Sequence, residues 1–339
     1  MKVQLSSVRP DIKIGLAVVA TLIILFLDIW ALAGIFNDQV TLFRYLNYFG
    51  YYIPLLTLGV MVFALVMTRG LLLRFLVGIV ALPALLIPYL LASLPFSGGK
   101  WALSDQVSGT DVSVITYSKM SRNSDYERIA QLVDCSKTDI FLLQEVPDLD
   151  ALIAANSELT TSCNYSFEGG EYKSLALLTR FPIVSATAKR SHSTFTIDVD
   201  GTPVSLMTAR IEKSLGSGGS DTQSRQITEI TKELSEDSAV IFAGDFNSTP
   251  HNNTIFRMKE SMAYAAPEGV MFSTFTFPAE GRWYASLGAL IRIDHIFYRG
   301  LSLRSSRVLE DSYGSDHYPV KAVFTVPVTL EGTDEQAGT

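Results

Sequence analysis

The sequence predicts a membrane-anchored α/β protein in which three transmembrane helices precede two packed β-sheets flanked by helices. Three observations lead to this fold class. Long apolar runs fill the chain up to Phe96, short strand patterns and a few helical ones follow in mixed order, and polar side chains recur where those strands end. The length of 339 residues has room for about two domains.

The amino-terminal part contains three apolar runs, residues 14–36, 45–68 and 71–96. Each can cross a bilayer as a helix, which takes about 20 residues, whereas a secretory signal peptide has one shorter run and a cleavage site. We therefore predict a multi-pass anchor whose partner is the lipid bilayer. Asp28 in the first run is either a functional intramembrane carboxylate or, as we favour, a residue near the helix boundary or facing the bundle.

Basic residues at the ends of these runs predict the orientation of the anchor. The loop between the first two runs holds only Arg44, whereas five basic residues precede the first run or separate the second from the third: Lys2, Arg9, Lys13, Arg69 and Arg74. Because Lys and Arg favour the cytoplasmic side, we expect a cytoplasmic amino terminus in a plasma or inner membrane. Three crossings then place the rest of the chain outside the cytoplasm.

A change of composition marks a domain boundary near a short Gly-containing linker at residues 97–100. We divide the chain into a membrane domain (1–100), an outer domain (101–328) and a disordered tail (329–339). Of the 27 Lys and Arg and the 34 Asp and Glu, residues 1–100 hold seven and three, so the rest carries a net charge of about −11. Such a domain lacks the broad basic field of nonspecific nucleic-acid binders, although a local basic patch can still exist.

Both cysteines of the chain, Cys135 and Cys163, fall in the outer domain. Outside the cytoplasm they can form a disulfide. Two buried thiols are a nearly equal alternative, because the sequence gives no distance between the two sulfur atoms.

Short apolar patterns predict the elements of the outer domain. A helical stripe predicts helices at 125–133 and 224–234, and Asp200-Gly201 predicts a hairpin turn between two strands. Strands are predicted at 111–117, 140–143, 175–178, 197–199, 204–207, 239–243, 291–297 and 320–326. This mixed order favours two packed sheets with helices outside.

Polar side chains follow several of these strands. Gly244 ends the strand at 239–243, and Asp245 and Asn247, two residues apart on an extended segment, should face the same spot. Glu145 follows the strand at 140–143. Asp316 and His317 precede the strand at 320–326, and Asp294, inside an apolar strand, needs a partner such as a histidine.

This set of side chains suggests metal-assisted hydrolysis of a phosphoester. Hard oxygen ligands without thiolates favour Mg²⁺ or Mn²⁺, and Glu145 and Asp316 suit that role. Asp245 can orient or deprotonate the attacking water, and Asn247 can donate to a phosphoryl oxygen. His317 as an imidazolium can stabilise the pentacovalent state.

The ordered motifs resemble the endonuclease/exonuclease/phosphatase superfamily, whose members include DNase I-like nucleases, neutral sphingomyelinases and inositol-polyphosphate phosphatases. The resemblance covers about residues 110–327 and rests on five segments in order: Leu143-Gln144-Glu145, Leu177-Leu178-Thr179-Arg180-Phe181-Pro182, Gly244-Asp245-Phe246-Asn247, Arg292-Ile293-Asp294-His295-Ile296 and Ser315-Asp316-His317-Tyr318-Pro319-Val320. It implies a four-layer α/β sandwich and a Mg²⁺-dependent phosphoesterase. By position it assigns Glu145 and Asp316 to the metal, Asp245 and Asn247 to water and phosphate, and Asp294 to the orientation of His317.

Two positions depart from the family pattern. Ser118 stands near the first strand end, where the family usually has an Asn close to the metal, and its hydroxyl can still contact water or phosphate. Arg210 stands where a His or Tyr is usual. Arginine is no general acid at neutral pH, but it can clamp phosphate, so Arg210 either binds substrate or is a surface residue.

The anchor with an outward catalytic domain resembles a membrane-bound subgroup of the family that includes glycopeptide-resistance-associated proteins. This resemblance implies lipid-linked phosphate or pyrophosphate, or another phosphodiester, as substrate. A nuclease is the first alternative, with Arg210, Arg282 and Arg292 as a guide for a nucleic-acid backbone, and a catalytically weak binding or scaffold domain is the second. No obligatory protein partner is evident. Four aromatic residues can form a lip over bases or lipid, although we rank core packing first: Phe275, Phe277, Trp283 and Tyr284.

Overall fold

The computed structural model describes residues 9–68, 70–93, 102–103, 108–168, 174–216, 218–234 and 239–327. The chain forms two compact units. The first comprises Met1–Leu94 together with Thr249–Phe256, and the second comprises Pro95–Ser248 and Arg257–Thr339. The predicted tail at 329–339 lies outside the described residues.

The first unit is a bundle of apolar helices. Three stretches are long and apolar enough to cross a membrane, Asp11–Gly34, Gly50–Met67 and Leu71–Leu91, close to the three predicted runs. Asp28 faces the bundle, one of the positions expected for it, and its Oδ1 accepts a hydrogen bond of 3.1 Å from the Ala84 amide. The helices are α1 (Pro10–Ile29), continued by a π-turn (Trp30–Gly34), α2 (Thr41–Asn47), α3 (Ile53–Met67) and α4 (Leu71–Ser93).

Residues Thr249–Phe256 belong to this helical unit, although the sequence-based boundaries place them in the outer domain. Asp38, between the first two apolar stretches, accepts hydrogen bonds from the Asn47 and Asn252 side-chain amides and the Asn253 backbone amide. The His251 ring Nε2 lies 2.8 Å from the Pro88 carbonyl oxygen, within a helix that two prolines interrupt. Polar groups therefore fasten this segment within an otherwise apolar bundle.

The second unit contains two six-stranded mixed sheets, which confirms the predicted fold class. Sheet A has the order β11-β12-β1-β2-β4-β3, with β1 and β2 parallel and the other neighbours antiparallel. Its strands are β1 (Gly109–Ser118), β2 (Ile140–Gln144), β3 (Asn164–Glu168), β4 (Leu175–Thr179), β11 (Ser302–Val308) and β12 (Val320–Pro327).

Sheet B has the order β5-β6-β7-β8-β10-β9, and its β7–β8 pair is parallel while the other pairs are antiparallel. Gly244 in β8 approaches β7 so closely that a Cβ atom would lie 2.0 Å from the Ala209 carbonyl oxygen, which explains the glycine before the polar strand end. The strands are β5 (Ile183–Ala188), β6 (Ser193–Val199), β7 (Thr202–Arg210), β8 (Ala239–Asp245), β9 (Ala263–Tyr264) and β10 (Asp294–Arg299).

Successive side chains of a strand point to opposite faces of the sheet, and sheet A has a hydrophobic core on each face. Val112 and Val114 of β1 face the other sheet, whereas Ile115 and Tyr117 face the helices. The helices of this unit are α5 (Tyr126–Ala130), α6 (Leu149–Ala155), α7 (Leu159–Ser162) and α8 (Gly219–Glu233), and α9 (Asn253–Ser261) begins in the helical unit. Two sheets with helices outside are the layers that the sequence predicts.

Several local predictions differ from the structure. The helix at 125–133 ends at Ala130, the helix at 224–234 begins at Gly219, and the strand at 291–297 begins only at Asp294. Strands β3, β5 and β11 have no counterpart in the predicted elements, because all three lie at sheet edges and β5 is largely exposed, so their apolar patterns are weak. Cys135 and Cys163 form a disulfide between the segment after α5 and the residue before β3.

Candidate active site

The end of β8 places a carboxylate beside a carboxamide. Asn247 has a left-handed backbone with φ of 45°, so the chain turns here and is not extended as the residue spacing predicts. The turn brings the Asn247 amide to 2.9 Å from Asp245 Oδ1 and the side-chain Nδ2 to 3.1 Å from Asp245 Oδ2. Asparagine tolerates this backbone region better than most residues. Both side chains therefore meet at one spot, as predicted, but through a turn.

Asp294 and His317 form a buried hydrogen-bonded pair. Asp294 opens β10 directly opposite Asp245 in the antiparallel register, and its Oδ2 lies 2.9 Å from His317 Nδ1. This contact fixes the orientation of the ring, whose Nε2 lies 3.9 Å from Asp316 Oδ1. Burial opposes protonation of the ring, but the nearby carboxylates of Asp294, Asp245 and Asp316 raise the pKa of His317 to about 9.

Asp245 is buried next to this pair. Burial raises the pKa of the Asp245 carboxyl to about 6, and the carboxylate of Asp294 acts in the same direction against the favourable charges of His317 and Arg210. The acid is therefore poised near neutrality, where a general base is most effective. Ligand-type atoms of Asp245, Asp294 and His317 all lie within 4.8 Å of one another.

Glu145 emerges from β2 with φ of 58° and is held through both of its carboxylate oxygens. Its Oε2 accepts 2.8 Å hydrogen bonds from the Ser121 amide and hydroxyl, and its Oε1 lies 2.5 Å from Arg210 Nε. Burial raises the pKa of Glu145, yet Arg210 and Ser121 outweigh it, so the net pKa is lowered and the group is a carboxylate. Gln144 just before it is buried and donates to Thr208 of sheet B.

Arg210 ends β7 and lies between two acidic groups. The parallel register pairs it with Asp245 of β8, and its Nε is 3.8 Å from Asp245 Oδ2 as well as close to Glu145. Its side chain is 26% exposed, so it reaches the site from a partly open edge. Arg210 therefore contacts two acidic side chains of the site, and its binding of substrate stays a prediction.

Asp316 is held by an arginine that the sequence suggested only as a guide for nucleic acid. Arg282 Nε and Nη2 lie 2.9 and 2.6 Å from Asp316 Oδ2, whose side chain is buried. Asp316 Oδ1 is 3.9 Å from His317 Nε2. Glu145 and Asp316, the two carboxylates predicted to bind metal, therefore each form an ion pair with an arginine. The order of residues in the sequence does not reveal this pairing.

Ser118 ends β1 with a buried hydroxyl that, among the described residues, has no hydrogen-bond partner. A buried hydroxyl without a partner costs free energy, which a bound water, phosphate oxygen or cation-bound water would offset. Its backbone carbonyl accepts from Ser315, next to Asp316. Ser118 therefore lies at the loop that carries Asp316 and His317, as its predicted role requires.

Other predictions divide between this site and the core. Phe275 is buried as predicted, and Phe277 packs with its ring centroid 5.1 Å from that of His317, but Trp283 is 89% exposed, so core packing is wrong for it. Arg292 is 3% exposed and cannot guide a nucleic-acid backbone. Ser121, which holds Glu145, was not predicted, because it lies in an irregular loop after β1 and carries no periodic signal.

Comparison with known proteins identifies the group to which this arrangement belongs. The model of the endonuclease/exonuclease/phosphatase family matches residues 112–317, most of the second unit. The chain belongs to this family. The predicted resemblance to this family is confirmed.

Solved structures of the family share the fold at low identity. A Bacteroides thetaiotaomicron member is 19% identical, covers 65% of this chain and 100% of its own, and superposes with a TM-score of 0.50. A Bacteroides vulgatus member is 17% identical, covering 64% and 99%, with a TM-score of 0.51. Truncated TDP2 of Caenorhabditis elegans is 18% identical, covering 65% and 100%, with a TM-score of 0.51.

A sequence relative is the UPF0294 protein VP2298 of Vibrio parahaemolyticus, 32% identical over 109 residues. The match covers 32% of this chain and 36% of that protein, so the chain spans about a third of the relative's length.

Proposed function

We propose that this protein is a membrane-anchored, extracytoplasmic phosphoester hydrolase that uses Mg²⁺ or Mn²⁺ and acts on a lipid-linked phosphate or pyrophosphate or on another phosphodiester. The observation that carries the proposal is the buried cluster of Asp245, Asp294 and His317, in which an acid poised near neutrality faces a protonated imidazole. A carboxylate base and a protonated imidazole this close together suit the attack of water on phosphorus.

The donor set fits a hard divalent cation. Glu145 is an ionised carboxylate at a strand end, Asp316 is a second acidic side chain and is paired with Arg282, and the Ser118 hydroxyl is buried without a partner among the described residues. Glu145 and Asp316 would hold the ion. When bound, the cation supplies charge stabilisation for the phosphoryl oxygens and lowers the pKa of coordinated water.

The roles of the side chains follow from their geometry. Asp245 accepts the proton of the attacking water, and Asn247, whose Nδ2 donates to the Asp245 carboxylate and the Ile211 carbonyl, orients that water. The bond between phosphorus and the oxygen of the leaving group breaks as the new one forms, and the leaving oxygen takes up a proton from solvent. His317, kept protonated by Asp294, stabilises the negative charge on the phosphoryl oxygens, and Asp294 acts by holding the ring.

Arg210 and Ser118 are assigned to the substrate. Arg210 is partly exposed and binds Glu145 through its Nε, and its guanidinium carries further N–H groups that suit a phosphate oxygen. Ser118 can donate its hydroxyl proton to a second oxygen. These two positions differ from the usual family residues and so set the substrate preference of this chain.

The proposals of a membrane substrate and of an extracytoplasmic catalytic domain rest on the apolar anchor and on the distribution of charged residues. Three stretches of the helical unit are long and apolar enough to span a bilayer, and the basic residues favour a cytoplasmic amino terminus. The acidic outer domain disfavours nonspecific nucleic-acid binding. A nuclease is the second candidate, because a structural neighbour, TDP2 of Danio rerio, has been solved with a single-strand DNA product. That neighbour is 16% identical, covers 64% of this chain and 99% of its own, and has a TM-score of 0.50.

The test measures hydrolysis by the detergent-purified full chain with Mg²⁺, with Mn²⁺ and after chelation. The substrates are a polyprenyl pyrophosphate, a chromogenic phosphodiester and plasmid DNA, and Asp245→Asn serves as the inactive variant. Cation-dependent turnover of the lipid substrate, abolished in the variant, supports the proposal. Turnover of DNA alone identifies the nuclease, and no turnover of any substrate identifies a binding or scaffold domain.

A further inference from the structure

In the part of the chain that the structure describes, two large apolar side chains near the active site are exposed to solvent. Trp283 is 89% and Leu287 72% exposed on a five-residue 3₁₀ turn, Trp283–Leu287, in which no residue is buried. Exposing an indole to water is unfavourable, and Trp combines an apolar body with a polar N–H that suits the boundary between water and lipid. We call this turn with Arg282 before it the tryptophan lip.

The tryptophan lip is attached to the catalytic loop by several hydrogen bonds. Arg282 binds Asp316 through Nε and Nη2. Backbone amides of the preceding segment reach the same loop, because Ala279 donates to the Asp316 carbonyl at 2.8 Å and Glu280 donates to the Ser315 carbonyl at 3.0 Å. The position of the exposed indole is thus tied to the loop that carries Asp316 and His317.

Charge and apolarity are adjacent in this lip. The Arg282 guanidinium, 34% exposed at its side chain, precedes the exposed Trp283 directly in the chain. An amphiphile with an anionic phosphate and an apolar chain has the complementary arrangement, since its head would meet the cationic and catalytic groups and its chain the indole and Leu287. A nucleic acid offers stacking bases but no aliphatic chain for Leu287.

We propose that the tryptophan lip binds the aliphatic chain of an amphiphilic phosphate ester and so selects lipid-linked substrates at the catalytic site. This inference rests on the proposed phosphoesterase function and specifies which part of the substrate is recognised, and by which residues. Trp283 and Leu287 are specificity-determining residues, distinct in role from the acid–base groups.

The test compares two substrates that share the scissile bond. The full chain in a fixed detergent concentration hydrolyses p-nitrophenyl ethyl phosphate and p-nitrophenyl hexadecyl phosphate, both of which release p-nitrophenolate. We expect Trp283→Ala to lower the ratio of kcat/KM for the long-chain ester over the short-chain ester about tenfold, and Leu287→Ala about fivefold, because less apolar surface then covers the chain. Hydrolysis of the ethyl ester should stay within about twofold of the parent protein.

The matched control is Val184→Ala. Val184 is 66% exposed on β5, at the far edge of sheet B from β10, so its truncation removes exposed apolar surface without touching the lip. Thermal denaturation of all three variants checks that they fold, which their exposed positions predict.

The outcomes separate the two proposals. Release of p-nitrophenolate from both esters with an unchanged ratio in Trp283→Ala and Leu287→Ala overturns the role of the lip and keeps the phosphoesterase. Equal losses on both esters also overturn it, because the lip would then support the catalytic loop only. No release from either ester by the parent protein contradicts the proposed function itself. A selective loss with plasmid DNA in Trp283→Ala, and none with the hexadecyl ester, would identify base stacking in place of lipid binding.

Discussion

Two histidine–carboxylate pairs in the second unit share nearly the same geometry and differ in their surroundings. His317 Nδ1 lies 2.9 Å from Asp294 Oδ2, and His192 Nε2 lies 2.9 Å from Glu233 Oε2, with both rings buried. Glu233, the last residue of α8, is partly exposed and also pairs with Lys189. Asp294 is buried and has Asp245 as its strand neighbour.

The comparison shows that a histidine–carboxylate pair alone does not make a reaction site. Beside His192 the carboxylate joins a helix end to a loop and has a lysine to balance it. Beside His317 a second buried acid, an asparagine and two arginine-matched carboxylates converge. Perturbed acids and bases gathered in one place are typical of a reaction site, whereas a single paired histidine is typical of structural support.

Removing each ring in turn tests this difference most strongly. We expect His317→Gln to lower kcat by about a thousandfold, because it deletes the cation that faces phosphorus. His192→Gln should leave kcat within about threefold while lowering the free energy of unfolding by about 1–3 kcal/mol, since it leaves Glu233 short of a donor. Chromogenic phosphodiester hydrolysis and thermal denaturation of the full chain measure the two effects. A kcat loss of equal size in both variants would contradict the distinction.

Removal of Arg210 tests the arginine-matched carboxylates. In Arg210→Gln, Glu145 no longer has its cationic neighbour, so we expect the affinity for Mn²⁺ to rise about tenfold as the competing charge disappears. At saturating cation kcat/KM should fall about tenfold to a hundredfold, because the phosphate no longer meets a guanidinium. Mn²⁺ titration of the hydrolysis rate separates the two parameters.

The matched control for that variant is Arg180→Gln. Arg180 pairs with Asp139 outside the site, so neither parameter should move. A lower Mn²⁺ affinity in Arg210→Gln would show that Arg210 supports the cation and does not compete with it.

The pH dependence of the reaction gives a graded test of the same site. Asp245 must be ionised to accept a proton, so kcat/KM should rise as the pH passes its pKa of about 6. His317 must be protonated, so kcat/KM should fall above its pKa of about 9, which gives a plateau between these values. A pH–rate profile with the soluble diester measures both limbs. In His317→Gln the upper limb should disappear, and a profile that keeps it would assign that limb to another group.

The smallest expected effect on activity comes from the disulfide. Replacing Cys135 and Cys163 by serine should lower the free energy of unfolding by about 2–4 kcal/mol, because the cross-link between residues 28 apart no longer restricts the unfolded chain. The bridge lies on the helix side of sheet A, with the core cluster of Ile129 and Leu159, so kcat should be unchanged. Denaturant unfolding and the diester assay measure this. A large loss of kcat in the folded double variant would show that the bridge supports the site.

The sequence predicts the individual side chains of the site far better than it predicts which side chains pair with one another. Glu145 and Asp245 lie at ends of buried strands, and that position follows from apolar runs that stop at a polar residue. Asp294 opens its strand, whereas the apolar pattern predicts it inside one. The pairing of Arg210 with Glu145 depends on β7 lying beside β8 and on β2 facing them across the core, an order that no periodicity encodes. The partners therefore require the fold.

Loops account for the remaining differences. Residues 271–290 contain two 3₁₀ turns and no strand, so their aromatic residues have no period that separates buried Phe275 from exposed Trp283. The segment Thr249–Phe256 is polar and follows a strand, which favoured its assignment to the outer domain, yet Asp38 and Asn47 supply partners for it within the helical unit. Hydrogen bonds to residues distant in sequence therefore set the place of this segment.

The most direct test of this mechanism is the rate of phosphodiester hydrolysis by the full chain during chelation and re-addition of Mn²⁺, in the parent protein, His317→Gln and His192→Gln. We predict that chelation abolishes the rate, that Mn²⁺ restores it in the parent and in His192→Gln, and that His317→Gln stays about a thousandfold slower at every cation concentration. A rate that survives chelation, or that His317→Gln retains, would contradict the mechanism.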